Sequence, residues 1–497
     1  MRKIYAIGVG GSGAKCLEAT VFLHALGIFG DSRLGVLLVD ADAANGNAQR
    51  TQINLKNTLE CYRLFKPGSE LKSEFMSGKF EDYGIWNPLG DVIHSSNLSK
   101  IFNQQSLSTT SVPLAKLFDA LYSPNEQEAD LAVGFRGRPP IGSAVMSRLE
   151  LESLPTALSD NWQRLFNNVQ TDRANGDEVS IHLFGSIFGG TGASGAPTLA
   201  TLISNQLRNS SLRGGVHLNA SLLLPYFSFE KPDDGDQKVF AETRFFALNT
   251  QAALQYLTEH SSGVFDSVYL IGNQEKQNYS AYTGGTNQQN DAHFVELYAA
   301  LAINHGFEQP IGQTQAAYIS RTSQERLVWQ DLPNSKNVKR LLAKGVRFAY
   351  SWHYNFALEL VSAQKLGAKK FAKGAPWFRF FFSLKQEEEG GLPSLSEEAQ
   401  KKRAEILEKW ARSFLIWAQQ VASSHRQGEQ LFRLKAFDLK IEDRSYGEDL
   451  SELIIDGAKS PKEKARDRLD TVKNQLADQG KKGKGVIGLA HELFRLL

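Results

Sequence analysis

The sequence is poor in several things a chain of 497 residues often carries. Cysteine is confined to Cys16 and Cys61. Two are too few for a disulfide scaffold and suit a reducing compartment, so a cytoplasmic location is expected. No apolar run reaches the about 18 residues that a membrane-spanning helix needs. The chain opens on Met-Arg-Lys and passes at once into a glycine turn, without the apolar stretch of a secretory leader. The ten histidines do not fall at ligand spacing, so no metal-binding cluster of the zinc type is expected. A net charge of +2 gives no argument for nucleic acid or an anionic membrane as partner of the whole chain. No internal repeat is present.

What is there is an ordinary soluble balance, 41% hydrophobic and 22% charged, at a length that suits two or three domains. Residues 3–7 read as a first strand and 14–27 as a helix, with Leu17, Val21, Leu23 and Leu26 spaced for burial. Residues 34–47 read as a buried strand ending in acids and a turn. Residues 50–130 give no clear pattern beyond helices and long loops, and 134–142 read as a Gly/Pro/Arg-rich loop. Residues 179–207 repeat the order strand, glycine loop, helix. A buried strand is expected over 217–230, a helix over 246–260, a strand over 266–273 and a helix over 291–306. Such alternation predicts an α/β fold, a Rossmann-like, mostly parallel sheet covered on both faces. Beyond about residue 335 long charged helices take over, as in 396–424, so a largely helical C-terminal region is expected, with 431–443 its best strand candidate. An exposed linker is expected at 385–394, and a basic flexible stretch over 477–485 before a last short helix.

Two glycine loops carry the chemistry. The first, "GVGGSGAKC" (8–16), satisfies G-x-G-x-x-G through Gly8, Gly10 and Gly13 between strand and helix. Glycines let a backbone approach phosphate, and the helix N-terminus offers N–H donors and partial positive charge. Alone, this pattern fits a dinucleotide site with Asp40 on the ribose as well as it fits a nucleoside triphosphate or a plain tight turn. The second loop, "GGTGASGAP" (189–197), adds Gly189, Gly190, Gly192 and Gly195, with Thr191 and Ser194 as hydroxyl donors. A dinucleotide domain has no use for a second cradle in mid-sheet, whereas a triphosphate gripped from two sides has.

These two stretches resemble the first and fourth nucleotide loops of the tubulin/FtsZ GTPase superfamily, and the likeness is closest to bacterial tubulin-like proteins. The second matches the signature Gly-Gly-Gly-Thr-Gly-(Ser/Thr)-Gly, with Phe188 at the first glycine and Ala193-Ser194 near the end. Further stretches follow in the family's order. "VLLVDADAAN" resembles its second strand and acidic loop, and "RGRPPIG" its γ-phosphate loop. "LLLPYFSFE" resembles the strand approaching the ribose, with Glu230 as the matching acid. "DSVYLIGN" ends on Asn273, near the base, and "NDAHFVELYAALA" opens the central helix with Asn290 and Asp291 facing guanine.

The resemblance implies GTP or GDP with Mg²⁺. The nucleotide contacts would be Gly10, Gly11, Ser12, Gly13, Lys15, Cys16, Asp40, Asp42, Arg138, Pro139, Gly189, Gly190, Thr191, Gly192, Ala193, Ser194, Gly195, Glu230, Asn273, Asn290 and Asp291. Arg136 and Arg138 would add positive charge at the γ-phosphate, where the family lacks them, or form a solvated basic loop. The family completes its catalytic site with an acidic loop of the next subunit in a filament. The nearest match is "WQDLPN" (329–334), with Asp331 as the catalytic acid and Trp329 in place of an Asn. That partial match leaves open a slow GTPase that assembles with itself, and a GTP-gated scaffold that binds without turnover; an NAD-dependent oxidoreductase is the less favoured reading. The implied organisation is a nucleotide-binding domain with its central helix over 1–310, an activation-loop-like segment and the start of a second domain over 311–384, and a helical region over 395–497, where a protein partner is expected to dock.

Overall fold

The structure is a computed structural model of the full chain. It describes residues 1–497 except 43, 66–72, 91–96, 149–159, 231–240, 281–284, 312–314, 319–325, 389, 426–427, 434–448, 457–463, 465–467 and 479–482.

Strands β1 (Arg2–Val9), β2 (Ser32–Val39), β3 (Lys79–Trp86), β4 (Glu178–Ser186), β5 (Val216–Leu223), β7 (Ser267–Ile271) and β9 (Gln315–Tyr318) form one seven-stranded sheet in the order β3-β2-β1-β4-β5-β7-β9. Each pairing in it is parallel, with β1 in register between β2 and β4. Two short strands, β6 (Phe227–Glu230) and β8 (Gln277–Ser280), pair separately, also in parallel. The main helices are α1 (Gly10–Ala25), α2 (Gly46–Leu64), α3 (Pro139–Met146), α4 (Asp160–Ala174), α5 (Gly190–Asn209), α6 (Phe246–His260), α7 (Phe294–Gly306), α8 (Ser335–Ser351), α9 (Glu398–Ala422), α10 (Leu469–Asp478) and α11 (Gly485–Leu496).

Alternating side chains send the strands into two cores, as the period of two requires. Tyr5, Ile7 and Val9 of β1 join Leu37, Val39, Val179, Ile181 and Leu183 under α4 and α5. Ile4, Ala6, Leu34, Val36 and Leu38 face the other way, into a larger core with α1, α2 and α7. That core runs on without a break through α8, α9, α10 and α11. A third, smaller cluster around Ala41, Phe118, Leu131, Phe135 and Ile141 seats the segment from Leu98 to Met146 above the end of β2.

Several local expectations shift. Helix α1 begins at Gly10 rather than 14, so the first glycine loop is largely the helix's own first turn. The stretch 217–230 is two strands, not one. It breaks at Leu224–Tyr226, where Pro225 has no N–H for a ladder. The expected loop 134–142 turns helical at Pro139, whose fixed φ suits the first helical position. Strand β3 and most of helix α2 lie in the stretch that gave no clear pattern, and α2 opens at Gly46, inside the turn expected to end 34–47. Helix α7 begins at Phe294 after a capping box from His293 and Glu296. Residues 434–443 of the expected strand 431–443, position 389 of the expected linker and positions 479–482 of the basic stretch lie outside the described residues.

Candidate functional site

Strand order reverses between β1 and β4: the chain builds outward to β3 on one side and to β9 on the other. In such sheets a crevice opens beyond the carboxyl ends of the two strands at the reversal. Here β1 feeds α1 on one face and β4 feeds α5 on the other. A cleft lies between their N-termini, lined among others by Gly10, Gly11, Ser12, Ser186, Phe188, Gly189, Gly190, Thr191 and Gly192. Neither helix N-terminus has a side-chain cap, which leaves the first-turn N–H groups available to a ligand.

The two loops touch. Gly10 has φ +74°, and a Cβ there would come 3.1 Å from Thr191 Cβ. A Cβ on Gly190 would stand 2.9 Å from Phe135 Cβ and 3.1 Å from the Gly137 nitrogen. Both positions therefore need glycine to keep the backbone at the cleft wall.

The floor is acidic. Asp40 is 2% exposed and accepts from the Asp42 N–H at 3.2 Å. Burial first, and the Asp42 carboxylate second, push Asp40 up to about 7, while the Thr191 hydroxyl pulls the other way. Asp42 is raised as well, chiefly by burial. Its Oδ2 accepts from the Gly285 N–H at 2.8 Å and its Oδ1 from Ala44 N–H at 3.2 Å. A strap, Gly285–Asn290, thereby lies across the turn after β2. Gly46 N–H donates to the Gly285 carbonyl at 3.1 Å, and Asn290 N–H to Asn47 Oδ1 at 2.8 Å.

This floor sets a pH dependence. The folded protein holds the Asp40 proton up to about pH 7, whereas the unfolded chain releases it near the ordinary 3.8. The resulting stability is fully present below the unfolded value and is lost as the pH rises through the folded one. Asp40→Asn, which cannot ionise, is expected to gain on the ligand-free wild type by roughly 3 kcal/mol between pH 5 and pH 8 in thermal or denaturant unfolding. A difference independent of pH would show an ordinary carboxylate at this place.

The structure divides the expected site residues. Gly10, Gly11, Ser12, Lys15, Asp40, Asp42, Gly189, Gly190, Thr191, Gly192 and Asn290 line the cleft. The other ten do not. Gly13 is pressed between Gly8 and the Phe184 carbonyl. Cys16 is fully buried in the core, and its thiol is raised by that burial. Arg138 donates to Glu242 at 3.0 Å, lies 3.9 Å from Glu126 and stacks 4.5 Å over Phe245, next to Pro139 at the head of α3. Its neighbour Arg136, held at φ +47°, is the arginine on the cleft. Ala193, Ser194 and Gly195 belong to the body of α5; Ser194 Oγ bonds the Gly190 carbonyl at 2.8 Å, and Gly195 packs on Val9 and Met146. Glu230 is exposed at the end of β6, and Asn273 donates to the Glu275 carbonyl at 2.8 Å. Asp291 is exposed and accepts from Gln420 at 2.8 Å.

Asp331 sits in a short turn, Trp329–Asp331, where its Oδ2 accepts from the Val328 N–H at 3.0 Å. The following Pro333 and Asn334 line a second cleft with Arg2 and Asp31, beside the amino ends of β1 and β2. That places this turn at the opposite end of the strands from the glycine loops.

Sequence reasoning missed Asn45, Asn47, Gln288 and a phenylalanine wall of Phe135, Phe188, Phe227, Phe229 and Phe246. Asn45 was legible as an Asn before a helix. It caps α2 by accepting from the Asn47 and Ala48 N–H groups. The aromatic wall has no local signature, because its members come from four separate segments.

No protein-family model and no curated protein sequence matches the chain. Among solved structures it is similar to CetZ1 from Haloferax volcanii, a GDP-bound monomer, at 13% identity over 55% of this chain and 51% of that one, with a TM-score of 0.27. It is also similar to a point mutant of FtsZ from M. jannaschii, at 15% identity over 55% of this chain and 46% of that one, with a TM-score of 0.23. The chain thus spans about half the length of each.

Proposed function

We propose that the cleft binds a guanine nucleotide, GTP or GDP, in the manner of tubulin-like proteins, with its phosphates across the N-termini of α1 and α5. One observation carries this reading: two uncapped helix N-termini from adjacent strands, both opening on glycine, meet in a single cleft. Each supplies backbone N–H donors and about half a positive charge, the provision a polyphosphate needs. The motif likeness of both loops to the tubulin/FtsZ superfamily supports guanine as the base.

The residues present fit such a ligand. Gly10 and Gly190 keep side chains off the phosphate path, Thr191 adds a hydroxyl, and Arg136 adds positive charge at the rim. A Mg²⁺ ion, bound mainly through phosphate oxygens and water, would neutralise charge. Asp40 and Asp42, both on the cleft, are the carboxylates that would reach that ion through water. The oxidoreductase reading has little support, since no histidine is among the described residues lining the cleft.

Hydrolysis would be completed by a second copy presenting Asp331 from the far end of its own sheet. The engagement of Asp331 Oδ2 by its own turn favours the second reading, a nucleotide-gated scaffold without turnover. GTP turnover per molecule, followed as protein concentration rises, separates the two. A self-assembling GTPase gains specific activity with concentration, and Asp331→Ala lowers it by roughly 10²–10⁴-fold, the usual cost of losing a catalytic base. Binding of GTP with flat or absent turnover supports the scaffold. Failure of GTP and GDP to bind would remove both.

A further inference from the structure

One buried charge at the cleft is not used by the phosphate reading. Lys15 lies in the second turn of α1, is 1% exposed, and lines the cleft. Its Nζ stands 2.5 Å from Glu296 Oε1 of α7, itself 1% exposed, and 5.5 Å from the centre of the Tyr226 ring. That carboxylate is shared. Tyr226 hydroxyl donates to the same Oε1 at 2.5 Å, and His293 N–H to Oε2 at 2.7 Å. Beyond Glu296, the Lys15 ammonium has no hydrogen-bond partner among the described residues. An ammonium has three donors and no acceptor, and leaving buried donors unmet is costly.

Two amides that line the same cleft have the same bias. Asn47 Oδ1 is taken by the Asn290 N–H, and Asn290 Oδ1 accepts from Gln288 Nε2 at 2.7 Å. Both amides have therefore spent an acceptor on the protein and keep N–H donors. The carboxylate expected to face guanine, Asp291, is instead exposed and held by Gln420. Lys15, Asn47 and Asn290 thus each bring donors to the cleft they line.

We propose, resting on the nucleotide reading above, that Lys15 is the base-selecting residue and that it reads the acceptor edge of a 6-oxopurine, O6 and N7. Guanine and hypoxanthine present two acceptors on that edge; adenine sets an amino donor beside N7 and repels an ammonium. Asp291, the carboxylate expected to face guanine, does not line this cleft. Selection is thus for the 6-oxo group, not for guanine as such. Glu296 acts as a positioning residue that keeps the buried charge paired.

The test is calorimetric titration of the full chain, with Mg²⁺, by GDP, IDP and ADP. The wild type is expected to bind GDP and IDP alike and ADP roughly 5- to 100-fold more weakly, the span of one good two-acceptor base contact. Lys15→Met alone would leave the Glu296 carboxylate buried without its cation, so the informative variant is K15M/E296Q, accepted only if it melts cooperatively. In it the GDP-to-ADP ratio is expected to fall to about one. The proposal is overturned if GDP binds far more tightly than IDP, since the 2-amino group would then be read, or if the folded double variant keeps the wild-type ratio. Nucleotides that bind without preference defeat the role of Lys15 alone; if none of the three binds, the nucleotide reading falls and takes this one with it.

Discussion

Gly13→Ala is expected to yield little or no folded protein. Gly13 sits where α1 crosses the sheet, and a Cβ there would come 2.6 Å from the Phe184 carbonyl oxygen and 2.8 Å from the Gly8 carbonyl carbon. Both obstacles are backbone, in the central strands β4 and β1, so no side chain can swing aside. Relief would require lifting α1 off the sheet, and nearly the whole of α1 is buried, from Gly13 through Ala25. Overpacking of an ordinary core site costs about 1–3 kcal/mol, and a backbone contact at the centre of the fold belongs at or beyond the upper end. Soluble yield and circular dichroism melts, with Gly214→Ala as reference, would decide. Nothing lies within 4 Å of a Cβ at Gly214, so that variant should stay within about 0.5 kcal/mol of wild type. A Gly13→Ala protein melting like the reference would show that α1 does not approach the strands this closely.

A chain ending at residue 394 is expected not to fold. Helix α9 buries Leu407, Trp410, Phe414, Leu415 and Trp417. Phe22 of α1 packs against Phe414 and Trp417 at 5.5 and 5.4 Å between ring centres, and Phe75 lies 4.9 Å from Trp410. Gln420 accepts from the Ala292 N–H at 3.0 Å, and Ser424 Oγ from the Phe294 N–H at 3.2 Å, which fixes the start of α7. Truncating a buried Trp or Phe to alanine costs about 3–5 kcal/mol. Three such residues on one helix match the whole stability of a typical protein, about 5–15 kcal/mol. Residues 1–394, produced alone, should therefore aggregate or lack cooperative unfolding. A monomeric, cooperatively melting product that still bound nucleotide would instead make 395–497 a separable unit.

The parts of the fold legible in the sequence are those where one local pattern served one purpose. The run 34–39 is apolar throughout because β2 is buried on both faces, and 179–207 shows strand, glycine and helix in the order the structure has them. The later part of the unclear stretch 50–130 was opaque because its short helices bury little: the helix Gln104–Thr110 has no buried residue, and Val112–Leu121 buries only Ala115 and Phe118. At the site, the glycines and the acids after β2 were readable because backbone access and strand ends leave local signals. Which side chains turn into the cleft was not. Arg136 and Arg138 are two residues apart in one loop; a left-handed φ at Arg136 sends the first to the cleft, and a carboxylate more than a hundred residues away takes the second. Lys15 and Glu296 likewise find each other only once α1 and α7 pack on the same face of the sheet.

The strap has a consequence for the lifetime of the molecule. Its bonds from Gly285 to Asp42 and from Asn290 to Asn47 each join groups 243 residues apart in the chain. They hold one wall of the cleft with little apolar burial, the kind of contact that opens before the core does. A bound molecule touching both sides would close that seam, and at a hundred times its dissociation constant it would add about 2.7 kcal/mol of stability. Exposure of the strap to proteases would then rise when the ligand becomes scarce. The amount of intact protein would follow the ligand's supply, without any change in its synthesis.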